Sequence, residues 1–105
     1  MFKTYLIIAL SFISFVVVAS EIEIPHLLQK GNAEAGADLV ATCVACHGAA
    51  GQSINSDWPN LAGQNQRYLA DQLEYFQQSQ RESPLMEVVI PYLKTLSDKQ
   101  LLDIA

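Results

Sequence analysis

Two cysteines and a histidine in one short stretch constrain this chain more than any other feature of it. They form the run Cys43-Val44-Ala45-Cys46-His47, which has the pattern C-x-x-C-H. This pattern attaches a c-type haem, because the two thiols form thioethers with the porphyrin and the histidine that follows ligates the iron. The sequence therefore predicts one covalently bound haem c, held by Cys43 and Cys46, with His47 as an axial ligand of the iron.

A C-x-x-C pair can also serve as a redox dithiol, a zinc site or a disulfide, and each of these fits the chain less well. A thioredoxin-like dithiol belongs to a βαβ pattern, and the sequence shows no such pattern. A tetrahedral zinc site needs four ligands, whereas the chain has one further histidine, His26, and no other cysteine. A disulfide between cysteines this close would restrain little of the unfolded chain. Haem attachment therefore remains the prediction.

The N-terminal segment predicts export. Lys3 makes the start weakly positive, residues 6–18 carry no charge, and Val18-Ala19-Ser20 supplies the small residues that signal peptidase recognises. We predict a signal peptide over residues 1–20, cleaved after Ser20, and a periplasmic mature protein, which agrees with a haem attached outside the cytoplasm. The alternative is an uncleaved membrane anchor, since the uncharged run is close to the minimum length that spans a bilayer.

Size and charge limit the classes of partner. The chain has 105 residues, which predicts one domain, and a net charge of −5 that becomes −6 without Lys3. This acidic balance argues against nucleic-acid binding and favours redox proteins that carry a basic docking patch. A mature chain of about 85 residues builds only a small apolar core, so a covalent haem would add surface for the helices to pack against.

The hydrophobic pattern predicts an all-α domain over residues 32–105, preceded by an irregular arm over residues 21–31. Helices are predicted over residues 33–42, 65–79 and 87–95, and from Asp98 onward. In the third of these, Pro91 must either begin the helix or break it. Asn32 is a predicted N-cap, and Ser97 with Gln100 forms a predicted capping box. A glycine inside the first helix, Gly36, predicts a close crossing by another helix.

Three more residues bear on the iron site. The carbonyl of Pro59 is a candidate acceptor for the Nδ1–H of His47, although an ordinary turn proline would look the same. Met86 follows a proline-marked loop and is the one methionine left after a signal peptide is removed, so it is either an iron ligand or a filler of the core. His26 is either an exposed histidine or a second axial ligand.

Taken together, these motifs make the chain resemble a class I c-type cytochrome, and most of all the small periplasmic mono-haem members and the halves of periplasmic di-haem members. The resemblance rests on Cys43-Val44-Ala45-Cys46-His47-Gly48, Pro59-Asn60-Leu61-Ala62-Gly63-Gln64, Tyr68-Leu69, Gln72-Leu73, Phe76, Arg81, Met86 and Leu96-Ser97-Asp98. The chain departs from the family at Val40, where an aromatic residue is common, and at its last helix, which ends early at Ala105. The domain is therefore expected to have a truncated C-terminal helix.

The resemblance implies a cytochrome c fold with three to five helices wrapped around one haem. It implies His47 and Met86 as the axial ligands, Pro59 as the acceptor behind His47, and Arg81 beside a haem propionate. The function that it implies is single-electron transfer between periplasmic or membrane redox partners, without enzymatic activity. The alternatives are a haem sensor or peroxidase-like protein with an open sixth position, or an electron-transfer subunit of a dehydrogenase that contacts the membrane through an uncleaved anchor.

Overall fold

A computed structural model describes residues 29–105, so the predicted signal peptide over residues 1–20, most of the arm over residues 21–31 and His26 lie outside the described residues. This part of the chain contains helices and no strand, as predicted. The helices are α1 (Ala33–Ala37), α2 (Ala41–His47), α3 (Gln66–Gln77), α4 (Ile90–Leu93) and α5 (Asp98–Ile104). None of the helices within residues 29–105 combines the length and the apolar composition that a membrane span requires.

The first predicted helix, over residues 33–42, is wrong in its extent because the structure divides it into α1 and α2. The N–H of Leu39 donates to the carbonyl of Gly36, at 2.9 Å, which forms a tight turn after α1. The carbonyl of Leu39 then accepts a hydrogen bond from the hydroxyl of Tyr92, at 2.8 Å. A continuous helix would have used that carbonyl internally, so the break allows this part of the chain to be tied to α4.

Helices α1 and α5 cross at Gly36, which is buried as the sequence predicts for a close crossing. A Cβ atom added at Gly36 would lie 1.9 Å from the backbone oxygen of Asp103, so only glycine fits. Asn32 caps α1 with its side chain, and its backbone N–H donates to the Asp103 carboxylate at 2.7 Å. Gly31 makes a second close approach, to the carbonyl of Leu102, that was not predicted from the sequence.

A small apolar core lies where α3, α4 and α5 meet. Its buried apolar side chains are Ala70, Phe76, Leu93, Leu96, Leu101 and Leu102. The side-chain amide of Gln77 donates to the carbonyls of Leu93 and Leu96, at 2.7 and 2.8 Å, which satisfies backbone groups at the end of α4. So few buried side chains make a marginal core for a domain of this size, as a protein stabilised in part by a cofactor would have.

The remaining helices differ from the predictions mainly at their ends. Helix α4 is shorter than the predicted 87–95, since residues 84–89 form successive turns and Pro91 lies in the first turn of the helix. The capping box of Ser97 and Gln100 is confirmed at the start of α5. Helix α3 begins after the cap Asn65 and ends at Gln77, two residues before the predicted end.

A residue with a left-handed backbone conformation follows the end of α3. Ser79 has a φ of 58°, and the N–H groups of Gln80 and Arg81 both donate to the carbonyl of Tyr75, at 2.7 and 3.1 Å. Helices frequently end in this way, and glycine is the residue that such a position favours. The turn directs the following segment, which begins with Arg81, back along α3.

Replacing Ser79 by glycine is therefore expected to stabilise the protein. The left-handed conformation costs a residue with a side chain about 1–2 kcal/mol, and the greater freedom of glycine in the unfolded chain offsets about half of this gain. We expect Ser79→Gly to raise the free energy of unfolding by about 0.5–1 kcal/mol, measured by urea denaturation. The matched control is Gln78→Gly, because Gln78 has a φ of −87° and gains nothing from glycine; equal stabilisation by both variants would contradict this account of the turn.

The buried carboxylate of Asp103 makes stability depend on pH. Hydrogen bonds from the Lys99 ammonium and from the backbone N–H of Asn32 hold the pKa of Asp103 below its ordinary value. A carboxyl with a lowered pKa in the folded state stabilises the protein above the unfolded-state pKa, about 3.9, and loses that contribution as the pH falls through the folded-state value. We expect the urea midpoint of the wild type to fall between about pH 5 and pH 3 more steeply than that of Asp103→Asn. Glu87→Gln, which alters an exposed carboxyl, should retain the wild-type slope.

Candidate haem site

A cavity of about 560 Å³ lies between α2, the loop after it, one face of α3, the 81–89 segment and the end of α5. The site residues predicted from the sequence that fall within residues 29–105 all line this one cavity. They are Cys43, Cys46, His47, Pro59, Arg81 and Met86. Residues from separate parts of the chain therefore meet in one place, within the size range of cofactor pockets.

Helix α2 carries both cysteines to the cavity wall. Cys43 and Cys46 are three residues apart in a helix, which places them on neighbouring positions of one face. Both side chains are half-buried, and the two cysteines form no disulfide with each other. Burial raises the pKa of the Cys43 thiol above its ordinary value. Two thiols on one face are what two thioether bonds to a single ring require.

His47 is the last residue of α2 and is only 8% exposed. Its Nδ1 lies 2.8 Å from the carbonyl oxygen of Pro59. A carbonyl has no proton to give, so Nδ1 carries the hydrogen and donates it, which leaves the lone pair on Nε2. An imidazole with Nδ1 committed in this way has its other nitrogen available to a metal.

Pro59 lies in a loop whose two ends are joined by backbone hydrogen bonds. The carbonyl of Gly51 accepts hydrogen bonds from the N–H groups of Leu61 and Ala62, at 2.7 and 2.9 Å. Inside the loop, the side chain of Asn60 accepts a hydrogen bond from the N–H of Ser53, at 2.7 Å. The hydrogen bonds that close this loop were not predicted from the sequence, although asparagine and glycine in a loop are the usual signal for such bonds.

Met86 lies on the cavity wall in a segment of turns. Its N–H donates to the carbonyl of Ser83, at 2.9 Å, and its carbonyl accepts from the N–H of Val89, at 3.0 Å. The side chain is half-buried and packs against the apolar core cluster. Met86 therefore contacts the core and the cavity at once, so the geometry agrees both with an iron ligand and with a filler of the core.

Arg81 lies at the exposed rim of the cavity. Its Nη1 donates a hydrogen bond to the side-chain oxygen of Gln72, and its guanidinium carbon lies 4.8 Å from the centre of the Phe76 ring. Gln72 also lines the cavity, and no role of its own was predicted for it from the sequence. Its position four residues before Phe76 in α3 placed the two side chains on one face, but no local signal indicated that a residue beyond the helix would return to them.

The chemistry of this cavity fits a covalently attached haem. Its apolar wall includes Val40, Leu61, Leu69, Leu73, Val89 and Ile104. Such a wall suits a flat apolar ring, and the two thiols and the available Nε2 of His47 meet its requirements for attachment and iron binding. Cys43 and Cys46 would hold the ring, and His47 would hold the iron.

Comparison with known proteins agrees with this geometry. The sequence profile of the cytochrome c family matches residues 33–105. The chain belongs to the cytochrome c family. That match includes the C-x-x-C-H run, both ends of the α1–α5 crossing and the 81–89 segment, so the resemblance inferred from the motifs is confirmed over nearly the whole described domain.

The chain matches its relatives over different shares of their own length. It is 40% identical over 75 residues to cytochrome c-554(548) of Halomonas halodenitrificans, which covers 71% of this chain and 90% of that protein. It is 43% identical over 75 residues to cytochrome c4 of Pseudomonas aeruginosa, covering 71% of this chain but 36% of that protein. It is 33% identical over 66 residues to the thiosulfate dehydrogenase electron acceptor of Stutzerimonas stutzeri, covering 63% of this chain and 31% of that protein.

Membership of the cytochrome c family confirms several predictions. The cofactor is covalently bound haem c, and Cys43 and Cys46 fit the motif that attaches it. The chain is an electron-transfer protein rather than an enzyme, and it acts with redox partners. A periplasmic location is typical of cytochromes of this kind.

Proposed function

We propose that this cytochrome c is a single-electron carrier whose iron has two protein ligands, His47 and Met86. The observation that supports this most strongly is that one cavity holds His47, oriented by Pro59, together with Met86. When bound, the haem supplies a couple between ferric and ferrous iron that exchanges one electron. With both axial positions taken by side chains, the iron has no place for a substrate, which suits a carrier.

The side chains around the cavity would each contribute to this function. The hydrogen bond to Pro59 keeps the His47 ring in one orientation and raises its basicity. The apolar wall excludes water, which lowers the local dielectric and favours the state with the smaller charge. A thioether ligand from Met86 would raise the reduction potential, and Arg81 at the rim is placed to neutralise a haem propionate.

Two spectroscopic measurements on the haem-loaded wild type test the axial ligands. We expect the oxidised protein to show the weak near-infrared band of methionine–iron bonding. We also expect the reduced protein to bind carbon monoxide very slowly, because Met86 must first leave. Absence of the band together with rapid carbon monoxide binding would contradict the carrier function and favour a haem sensor or a peroxidase-like site with an open sixth position.

A partner with a basic patch is the kind we propose for docking. Leu85 and Val88 are 57% and 78% exposed at the cavity rim, and the acidic residues Glu82 and Glu87 are exposed in the same segment. Apolar side chains flanked by carboxylates suit a partner whose apolar centre is bordered by lysine or arginine. Electron exchange with such a partner is expected to slow as salt is added, and a rate independent of salt would contradict the proposal.

A second candidate function is the acceptance of electrons from a dehydrogenase, which is what the name of the Stutzerimonas relative states for that protein. This chain spans only 31% of that relative, so the specific donor is a separate proposal. Reduction of the oxidised protein by thiosulfate in the presence of a thiosulfate dehydrogenase, and not by thiosulfate alone, would support it.

For the location, we propose export to the periplasm with removal of residues 1–20. The basis is the charge-free run over residues 6–18 and the small residues that precede Glu21. The intact mass of the protein purified from its host should correspond to a chain that begins at Glu21 with one haem. A mass that includes residues 1–20 would support the membrane anchor instead.

A further inference from the structure

The rim of the cavity contains an arrangement of three side chains, and the proposed electron-carrier function has given a role only to Arg81 among them. Gln72 and Phe76 lie one helical turn apart in α3, and Arg81 returns to both of them from the segment after the helix. All three line the cavity. Gln72, Phe76 and Arg81 therefore form one group of contacting side chains at the rim.

The positive charge of Arg81 differs from the charges around it. Among the described residues that line the cavity, the side chains charged at neutral pH are Asp57 and Arg81, so Arg81 is the one permanent cation of the wall. Around it the described part of the chain is acidic, with Glu82 adjacent in the sequence. A single cation beside an otherwise apolar and acidic site has a direct effect on any couple that changes charge there.

The guanidinium of an exposed arginine ordinarily has no fixed position, because its long side chain samples many rotamers. Here two contacts reduce that freedom. The Gln72 oxygen accepts a hydrogen bond from Nη1, and the face of the Phe76 ring lies under the guanidinium at 4.8 Å, within the range of a cation–π contact. The backbone adds a third restraint, since the N–H of Arg81 donates to the carbonyl of Tyr75 at 3.1 Å.

We infer that Gln72 is a positioning residue for the reduction potential: together with the ring of Phe76 it holds the Arg81 charge at the cavity rim, where that charge favours reduced iron. Reduction lowers the charge of the iron by one unit, so a cation fixed nearby stabilises the reduced state relative to the oxidised state. The inference rests on the proposed electron-carrier function, and it adds a residue, Gln72, that is not one of the proposed iron ligands.

The experiment is a double-mutant cycle in the haem-loaded protein, with the reduction potential as the measured quantity. Arg81→Leu is expected to shift the potential downward. Gln72→Leu is expected to shift it in the same direction by a smaller amount, because the charge remains but is no longer held. The double variant is expected to match Arg81→Leu, since Gln72 acts only through Arg81. A wild-type potential in Gln72→Leu, or additive shifts in the double variant, would overturn the inference.

Two further variants separate positioning from charge and from general effects on α3. Arg81→Lys keeps the charge but loses the planar fork that both bonds Gln72 and stacks on the ring, so its potential should lie between those of the wild type and Arg81→Leu. A wild-type potential in Arg81→Lys would show that the charge needs no positioning. Gln78→Leu is the matched control, because Gln78 bonds Glu74 on the exposed side of the same helix and does not line the cavity; its potential should remain that of the wild type.

The near-infrared band keeps this test distinct from that of the axial ligands. Every variant is expected to retain the band, because none of the substitutions changes His47 or Met86. Loss of the band in Gln72→Leu would show that Gln72 supports the iron ligation, which would overturn its role as a positioning residue for charge. Absence of the band in the wild type would instead contradict the proposed ligation. The order of the four reduction potentials in the double-mutant cycle would still test Gln72.

Discussion

Gly36→Ala is expected to lower the free energy of unfolding by about 3 kcal/mol, because the added Cβ atom would lie 1.9 Å from the backbone oxygen of Asp103 and 2.5 Å from its carbonyl carbon. Backbone atoms of a helix cannot rotate away as a side chain can, so α1 and α5 must move apart. That movement would also stretch the bond from Asn32 to the Asp103 carboxylate. For a domain of this size the loss corresponds to a fall of about 12–24 °C in the thermal midpoint of the haem-loaded protein.

A matched variant separates the clash from the other effects of adding a methyl group. Gly63→Ala introduces the same group where no atom of the described residues lies within 4 Å, although the φ of 78° adds a backbone cost of about 1–2 kcal/mol. Alanine at position 36 also gains about 1 kcal/mol of helix propensity, which opposes the clash. Gly36→Ala should nevertheless be clearly the less stable of the two. If both variants melt together, the crossing contributes less to stability than the geometry indicates.

Substitution of Met86 is expected to produce the largest change in function. Met86→Leu removes the thioether but retains most of the volume that packs against the core. If Met86 ligates the iron, the variant should lose the near-infrared band and bind carbon monoxide rapidly. Its potential should fall by about 0.1 V or more, since axial ligands together span about 0.8 V.

The pair Met86→Leu and Met86→Ala distinguishes a ligand from a filler of the core. A ligand gives the same spectral change in both variants, whereas a filler leaves both spectra unchanged and loses stability only in the alanine variant. Leu85→Ala is the adjacent control, because Leu85 is 57% exposed and has no group that binds iron. Unchanged spectra in both Met86 variants would make His26 the next candidate for the second ligand.

Predictions from the sequence were most accurate for features that depend on a few adjacent residues. The C-x-x-C-H run, the caps at Asn32 and Ser97 and the apolar face of α3 each need only local chemistry, because one turn of backbone brings their groups together. Gly36 was informative for a related reason, since a glycine inside a helix is costly unless something approaches it closely.

Errors occurred where a distant residue competes with a local preference. The pattern of residues 33–42 favours a single helix, yet the carbonyl of Leu39 bonds to Tyr92 and the helix ends early. Residues 87–89, where the predicted helix should begin, form turns, and the 84–89 turns carry Met86 to the cavity wall. The break at Leu39 is not visible in a local window, because its partner Tyr92 lies far along the chain.

By itself, the sequence determined the cofactor and its attachment, the helical class and the family, because each follows from short motifs whose chemistry is complete within a few residues. Only the tertiary structure decided which groups meet. It decided between the two interpretations of Pro59 by placing its carbonyl against His47, and it placed the Asp103 carboxylate against Asn32 and Arg81 against Gln72 and Phe76. Such pairs depend on how loops close and helices cross, and these are set by the sum of many weak contacts over the whole domain rather than by any one residue type.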